Sequence, residues 1–307
     1  MYDLKEEIVS ASVIDKIHKS GKISLDSIVD DSYNFYLLKT EDESKTALAS
    51  VYGNELVKVN TKDINFQGLK PRDARQACMF WSLTKFDLFV ALGSAGTGKT
   101  TVSLAYALNE MFRKDKPIVL CKPTVFVGQK SNAIGAIPGD HREKMEGYIE
   151  SYLTSLRKIL GDSAEHHLYQ MEEEQKLQFV PLELMRGQHF ENCTMIIDEA
   201  QNTSAHELMS VISRVGDNST VIVLGDPAQI DTGTRYKETG LHALCESDAF
   251  FECPFATGIK LLGQYRGPMA TLASDVLKEL QEDEEDDSLD NYFEKKIKGW
   301  TRAKKSP

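Results

Sequence analysis

The stretch Gly93-Ser94-Ala95-Gly96-Thr97-Gly98-Lys99-Thr100 follows the apolar run Leu88-Phe89-Val90-Ala91-Leu92 and opens a helical stretch from Thr101 to Phe112. Few arrangements restrict a chain more. A short apolar run containing a β-branched residue reads as a buried strand. Glycines directly after it let the backbone wrap closely and point its N–H groups inward, and the following helix adds partial positive charge at its N-terminus. The eight residues fit G-x-x-x-x-G-K-[ST] in full, in the strand-to-helix context where that pattern forms a phosphate-binding P-loop. Lys99 is expected to reach the β- and γ-phosphates of ATP, and the Thr100 hydroxyl to ligate Mg²⁺. Residues Gly93 to Thr101 form the expected nucleotide-binding segment.

Two more strand exits carry polar groups. Thr194-Met195-Ile196-Ile197 ends in Asp198-Glu199-Ala200-Gln201, and open α/β sheets bind ligands outside the carboxyl ends of their strands. Asp198 reads as the Mg²⁺-holding carboxylate, directly or through water, and Glu199 as the general base or water-positioning group. Alone, such a pair would more often be a solvated loop or helix cap; downstream of a P-loop it points to nucleotide hydrolysis. Thr220-Val221-Ile222-Val223-Leu224 ends in Gly225-Asp226-Pro227-Ala228-Gln229-Ile230-Asp231. Gln229 is expected to sense the γ-phosphate, its plainer role being a turn residue after Pro227. Upstream, Gln76 in Pro71-Arg72-Asp73-Ala74-Arg75-Gln76-Ala77 has an amide that can serve a donor and an acceptor on adenine together.

From Leu88 onward, apolar runs at 88–92, 117–121, 176–180, 194–198, 220–225 and 259–262 alternate with helical patterns. Alternation of this kind implies an α/β fold, a parallel sheet flanked by helices, and with the P-loop motif it resembles the RecA-like P-loop NTPases. Residues 1–70 read as a small α+β appendage. Leu4, Ile8, Ile14 and Ile17 suggest an amphipathic helix ending at Gly21, Ser32 to Thr40 a strand, and Thr46–Tyr52 with Glu55–Val59 a hairpin about Gly53-Asn54. The expected organisation is therefore 1–70, an ATPase domain at 71–278, and a charged tail at 279–307.

Charge and cysteine content narrow the setting. The net charge of −11 argues against a surface coated with nucleic acid, but it is uneven: Glu282 to Asp287 alone supply six negative charges, and Lys295, Lys296, Lys298, Arg302, Lys304 and Lys305 follow. Such blocks usually solvate flexible tails; the sharper alternative is an acidic run competing with nucleic acid for basic residues. Five scattered cysteines without C-x-x-C suggest reduced thiols and a cytoplasmic protein. No apolar stretch approaches membrane-spanning length, and the first residues lack a signal-peptide core. His166-His167 reads as exposed helix surface, and the methionines as core filling.

The order of Gln76, the P-loop, D-E-A-Q, G-D-x-x-Q and Tyr265-Arg266 resembles superfamily 1 helicases. The chain is more similar still to the PhoH family of phosphate-starvation-inducible ATPases, through Pro181-Leu182-Glu183-Leu184-Met185-Arg186-Gly187, Ile197 to Asn202, Gly225 to Asp231, Lys122-Pro123-Thr124-Val125 and Ile137-Pro138-Gly139-Asp140. The resemblance covers about Gly68 to Leu277 and departs at Gln264-Tyr265-Arg266-Gly267-Pro268, where that family usually carries an Arg-His pair. It implies a Mg²⁺-dependent ATPase that remodels or translocates on single-stranded nucleic acid, RNA favoured over DNA. With no second helicase lobe, it also implies a homo-oligomer, a hexameric ring being the expected form. Residues before Gln76 resemble the lead-in of longer members that carry a nuclease domain, for which 70 residues leave no room, so a separate nuclease partner is an open expectation.

Arg266, Arg142 and Arg186 are candidates for an arginine that neutralises transition-state charge, in cis or from a neighbour. The loop from Thr124 to Arg142, with Lys130, Phe126 and His141, is the expected path for nucleic acid. A P-loop kinase and an ATP-dependent assembly scaffold without motor activity stand as alternatives. No membrane partner is expected.

Overall fold

The computed structural model describes residues 2–25, 28–29, 33–123, 141–185, 187–232, 234–263, 269, 272 and 276, the side chains of 141–148 lying outside that set. Its second half is built on strands β6 (Leu88–Leu92), β7 (Ile118–Lys122), β8 (Leu177–Pro181), β9 (Thr194–Ile197), β10 (Thr220–Gly225) and β11 (Ala256–Lys260). They form one sheet in the order β11-β6-β10-β9-β7-β8, and every pairing is parallel. This is a P-loop NTPase fold.

Sequence patterning explains the sheet. A parallel sheet covered on both faces needs apolar residues at every position rather than every second one. Phe89 and Ala91 of β6, Ile222 and Leu224 of β10 and Ile196 of β9 enter one core. Val90 and Leu92, Val221 and Val223, and Met195 and Ile197 enter the other. Helices α2 (Ala74–Leu83), α3 (Lys99–Lys114), α4 (His141–Leu160) and α5 (Ala164–Glu173) cover the first face. Shorter helices α6 (Ala205–Ile212), α7 (Gly240–Cys245) and α8 (Asp248–Phe251) cover the second.

The first 60 residues form a second sheet from β1 (Leu4–Ile8), β2 (Lys22–Ser24), β3 (Phe35–Lys39), β4 (Thr46–Tyr52) and β5 (Glu55–Lys58), ordered β1-β3-β4-β5-β2, with helix α1 at Ala11–Ser20. The hairpin turns at Gly53-Asn54, as its sequence indicates. The helix does not extend back to Leu4. Leu4 to Ile8 pairs in parallel with Phe35 to Lys39 instead, and only Ile14 and Ile17 keep the helical positions expected for them, buried against Tyr36, Leu38 and Ala49. A Leu4/Ile8 spacing fits a strand face as well as a helix face, and the available edge of β3 decides between them. This sheet shares a core with the larger one, because Phe35, Val59 and Phe66 pack among Phe80, Phe89 and Tyr106. Among the described residues no helix is long and apolar enough to cross a membrane.

Candidate nucleotide site

Register brings three polar strand exits to one edge of the sheet. Leu92 is level with Gly225, and Ile197 with both Val223 and Cys121. Gly93, Asp226 and Asp198 therefore leave neighbouring strands side by side, with the N-terminus of α3 above them. That terminus has no side-chain cap, and the start of a helix favours an anion.

Between β6 and α3 the loop turns tightly. Gly93 has φ +149°, and a Cβ there would lie 2.5 Å from the Leu261 carbonyl oxygen. Gly98 has φ +91°, and its Cβ would lie 2.7 Å from Gln76 Nε2. Both positions thus need glycine for backbone conformation and for space. Lys99 is buried and folds back, donating to the carbonyl of Gly93 and, at 3.1 Å, to that of Ser94. Thr97 is also buried and donates from its hydroxyl to Ser94 O at 3.0 Å. Thr101 faces α4 instead, its hydroxyl 3.1 Å from that of Ser155.

Thr100 and Asp198, expected to share a metal ion, lie together: the hydroxyl donates to Asp198 Oδ2 at 3.1 Å. A hydroxyl and a carboxylate are the hard oxygen donors that Mg²⁺ takes alongside water and phosphate, so the residues present fit that ion. Burial pushes the Asp198 carboxyl up to about 6, and the charge of Glu199 adds to the effect; Lys99, the Glu199 N–H and the Thr100 hydroxyl oppose it. An approaching cation would reverse this balance.

Glu199 is exposed and occupies the left-handed region at φ +56°, ψ +36°, which a non-glycine residue adopts at some cost. Its carboxylate is held by Gln201, whose Nε2 donates to Glu199 Oε2 at 2.7 Å and to the Gln229 carbonyl at 2.8 Å. Gln201 Oε1 accepts the Asp226 N–H at 3.0 Å. Asp226 in turn accepts from Ala228 N at 3.0 Å and Gln229 Nε2 at 2.8 Å. Its carboxyl is also raised, first by burial, with Lys99 as the main opposing charge. Gln201 and Asp226 have no assigned role in the sequence reading, although both sit inside the motifs that drew it. The bond between them spans 25 residues of sequence.

Gln76 is placed differently from its expected use. It is 4% exposed, its Nε2 donates to the Thr97 carbonyl at 2.9 Å, and its Oε1 accepts the Arg72 N–H at 3.0 Å. Both ends of the amide are engaged within the chain, bracing the loop from below. The expected roles of Arg266 and Arg186, the side chain of Arg142, the segment 124–140 and the charged tail lie outside the described residues.

The family described as PhoH-like protein matches residues 68–250. Protein PhoH2 of Bacillus subtilis (strain 168) is 29% identical over 287 residues, covering 89% of this chain and 63% of that protein. Protein PhoH of Escherichia coli (strain K12) is 33% identical over 192 residues, 62% of this chain and 53% of that protein. The chain thus spans less than two thirds of either relative. Among solved structures, the Pif1 helicase of Candida albicans aligns at a TM-score of 0.33 with 14% identity, over 69% of this chain and 44% of that one. By sequence and by the P-loop site it builds, the chain belongs to the PhoH family.

Proposed function

We propose that this protein is a Mg²⁺-dependent ATPase that works on single-stranded nucleic acid, RNA in preference to DNA, as a ring-shaped homo-oligomer. One observation carries the hydrolytic part: a continuous set of hydrogen bonds links Thr100 to Asp198, then to the Glu199 N–H, Gln201, Asp226 and Gln229. The two residues proposed to hold the ion, the residue proposed to take a proton and the expected phosphate sensor are thereby joined.

In this reading Lys99 exchanges the carbonyls of Gly93 and Ser94 for oxygens of the β- and γ-phosphates. Thr100 and Asp198 would hold Mg²⁺, which when bound would neutralise charge on those phosphates. Glu199 accepts a proton from the attacking water, whose oxygen bonds to the γ-phosphorus as the bond to the β-bridging oxygen breaks and ADP departs. Gln201 keeps the Glu199 carboxylate fixed, and Gln229 reports the state of the γ-phosphate to Asp226.

The nucleic-acid part rests on family resemblance and on the motif order shared with superfamily 1 helicases. It is tested by steady-state ATPase on the full chain, of measured mass, with RNA, with single-stranded DNA and without polymer. RNA should raise turnover most, and the stimulation should weaken steeply as salt rises. Equal turnover in all three conditions would remove the polymer from the proposal, and phosphate appearing on an acceptor other than water would replace hydrolysis by kinase chemistry.

A further inference from the structure

The residues just before β1 lie along the outer side of β11. The Tyr2 carbonyl accepts the Lys260 N–H at 2.6 Å, and the Tyr2 hydroxyl donates to the Cys245 carbonyl at 2.9 Å. The Tyr2 ring fills the space above Gly258, where a Cβ would approach it to 2.7 Å. Asp3, next in line, pairs with the guanidinium of Arg75 at the start of α2 and accepts the Leu4 N–H at 2.9 Å. A second guanidinium nitrogen of Arg75 donates to the Lys260 carbonyl at 2.9 Å. Lys260 is therefore gripped through both of its backbone groups, its N–H by Tyr2 and its carbonyl by Arg75.

Both arms of this clasp continue into the P-loop. On one side, Leu261 donates its N–H to Leu92 at 2.7 Å, and its carbonyl packs against Gly93 so closely that a Cβ would sit 2.5 Å away. Gly93 supplies a carbonyl to Lys99. On the other side, Arg75 is adjacent to Gln76, which holds the Thr97 carbonyl at 2.9 Å and abuts Gly98. The start and end of the loop are thus referenced to one junction, and that junction is closed by the segment preceding β1.

We propose that Asp3 and Arg75 are positioning residues for the nucleotide: the clasp they form sets the distance between the Gly93 and Thr97 ends of the phosphate loop. The small N-terminal sheet is then a working part of the ATP site. This inference rests on the reading of the loop as an ATP site. The Asp3 carboxylate is about half exposed, while the Arg75 side chain is 16% exposed. A pair with one exposed partner contributes little to global stability, so loss of the clasp registers in ligand affinity before it registers in folding.

The test is titration of the full chain with Mg·ATP by calorimetry, alongside thermal unfolding, for Asp3→Ala, Arg75→Ala, the double variant and Asp3→Glu. Each alanine variant should weaken ATP binding by about fivefold or more, with Tm changed by no more than about 2 °C. The double variant should match Arg75→Ala, since both act through one clasp, and Asp3→Glu should recover most of the affinity. Unchanged affinity in both alanine variants overturns the proposal, as does weakening that follows Tm and is additive in the double. Wild type and Lys99→Ala serve as references. If wild-type protein shows no Lys99-dependent ATP binding, the ATP reading itself falls, a result distinct from normal wild-type binding with unaffected clasp variants.

Discussion

Gln201 Nε2 lies 2.7 Å from Glu199 Oε2, and the same amide reaches the Gln229 carbonyl and the Asp226 N–H. Gln201 is fully buried, so the geometry of an exposed carboxylate is set by a side chain that solvent does not touch. Gln201→Leu keeps the approximate volume and removes every one of these bonds. Turnover of ATP should fall about 10- to 100-fold, as for loss of a group that orients a reacting residue. Stability should drop by about 1–3 kcal/mol because the Asp226 N–H loses its acceptor. ATPase rates and urea unfolding of the same preparation check both parts.

Asp198 carries a cost that the proposed hydrolysis requires and folding does not. Its carboxyl is raised to about 6 by burial and by Glu199, so the folded chain keeps this proton over a pH range where the unfolded chain has released it. A raised carboxyl of this kind weakens the fold as pH climbs from about 4 to 6. The penalty is fully present above about 6 and absent below the unfolded value near 3.9. Asp198→Asn should therefore stabilise the nucleotide-free, metal-free protein at pH 7.5 by on the order of 1–3 kcal/mol while abolishing ATPase. Denaturant titrations in chelator at pH 7.5 and 4 should show the gain at the first pH and little at the second.

Gly93 is confined twice, by φ +149° and by the Leu261 carbonyl 2.5 Å from where a Cβ would stand. The obstacle is backbone of β11's extension, itself bonded to Leu92, and it cannot rotate aside as a side chain would. Gly93→Ala should cost about 2–4 kcal/mol from crowding and backbone strain together. Gly68→Ala, with φ +78° but nothing within 4 Å, should cost only the conformational part. Urea unfolding of both should show the crowded, φ +149° position costing more than the open one.

Much of the larger sheet can be read from local patterning. The runs 88–92 and 220–225 coincide with β6 and β10, and three others lie within one residue of β7, β8 and β9. The last strand begins earlier than its apolar run, at Ala256, because Ala256-Thr257-Gly258 become strand only by pairing with Leu88 to Val90. The same non-local choice makes Leu4–Ile8 a strand. In the site, the strand, loop and helix around Lys99 and Thr100 are contiguous in sequence and so can be read there, and the structure brings Thr100 to Asp198. Gln201 cannot be read in this way, since its partners Asp226 and Gln229 are fixed by the packing of β9 against β10.

Gln76 separates two roles that the same amide could serve. If it reads adenine, replacing it should change the preference for ATP over GTP; if it braces the loop, affinity for both should fall together. Its 4% exposure and its bonds to Thr97 O and Arg72 N favour the brace. Gln76→Leu removes both bonds; the one to the Thr97 carbonyl is buried and its loss costs about 1–3 kcal/mol, whereas Arg72 is exposed and its N–H can turn to water. The expected outcome is a loss of stability of that order, with ATP and GTP binding weakened by the same factor and their ratio unchanged. Competition titrations with both nucleotides measure that ratio. A shift of tenfold or more, corresponding to about 1.4 kcal/mol, would show that the Gln76 amide turns from Thr97 towards the base when nucleotide arrives.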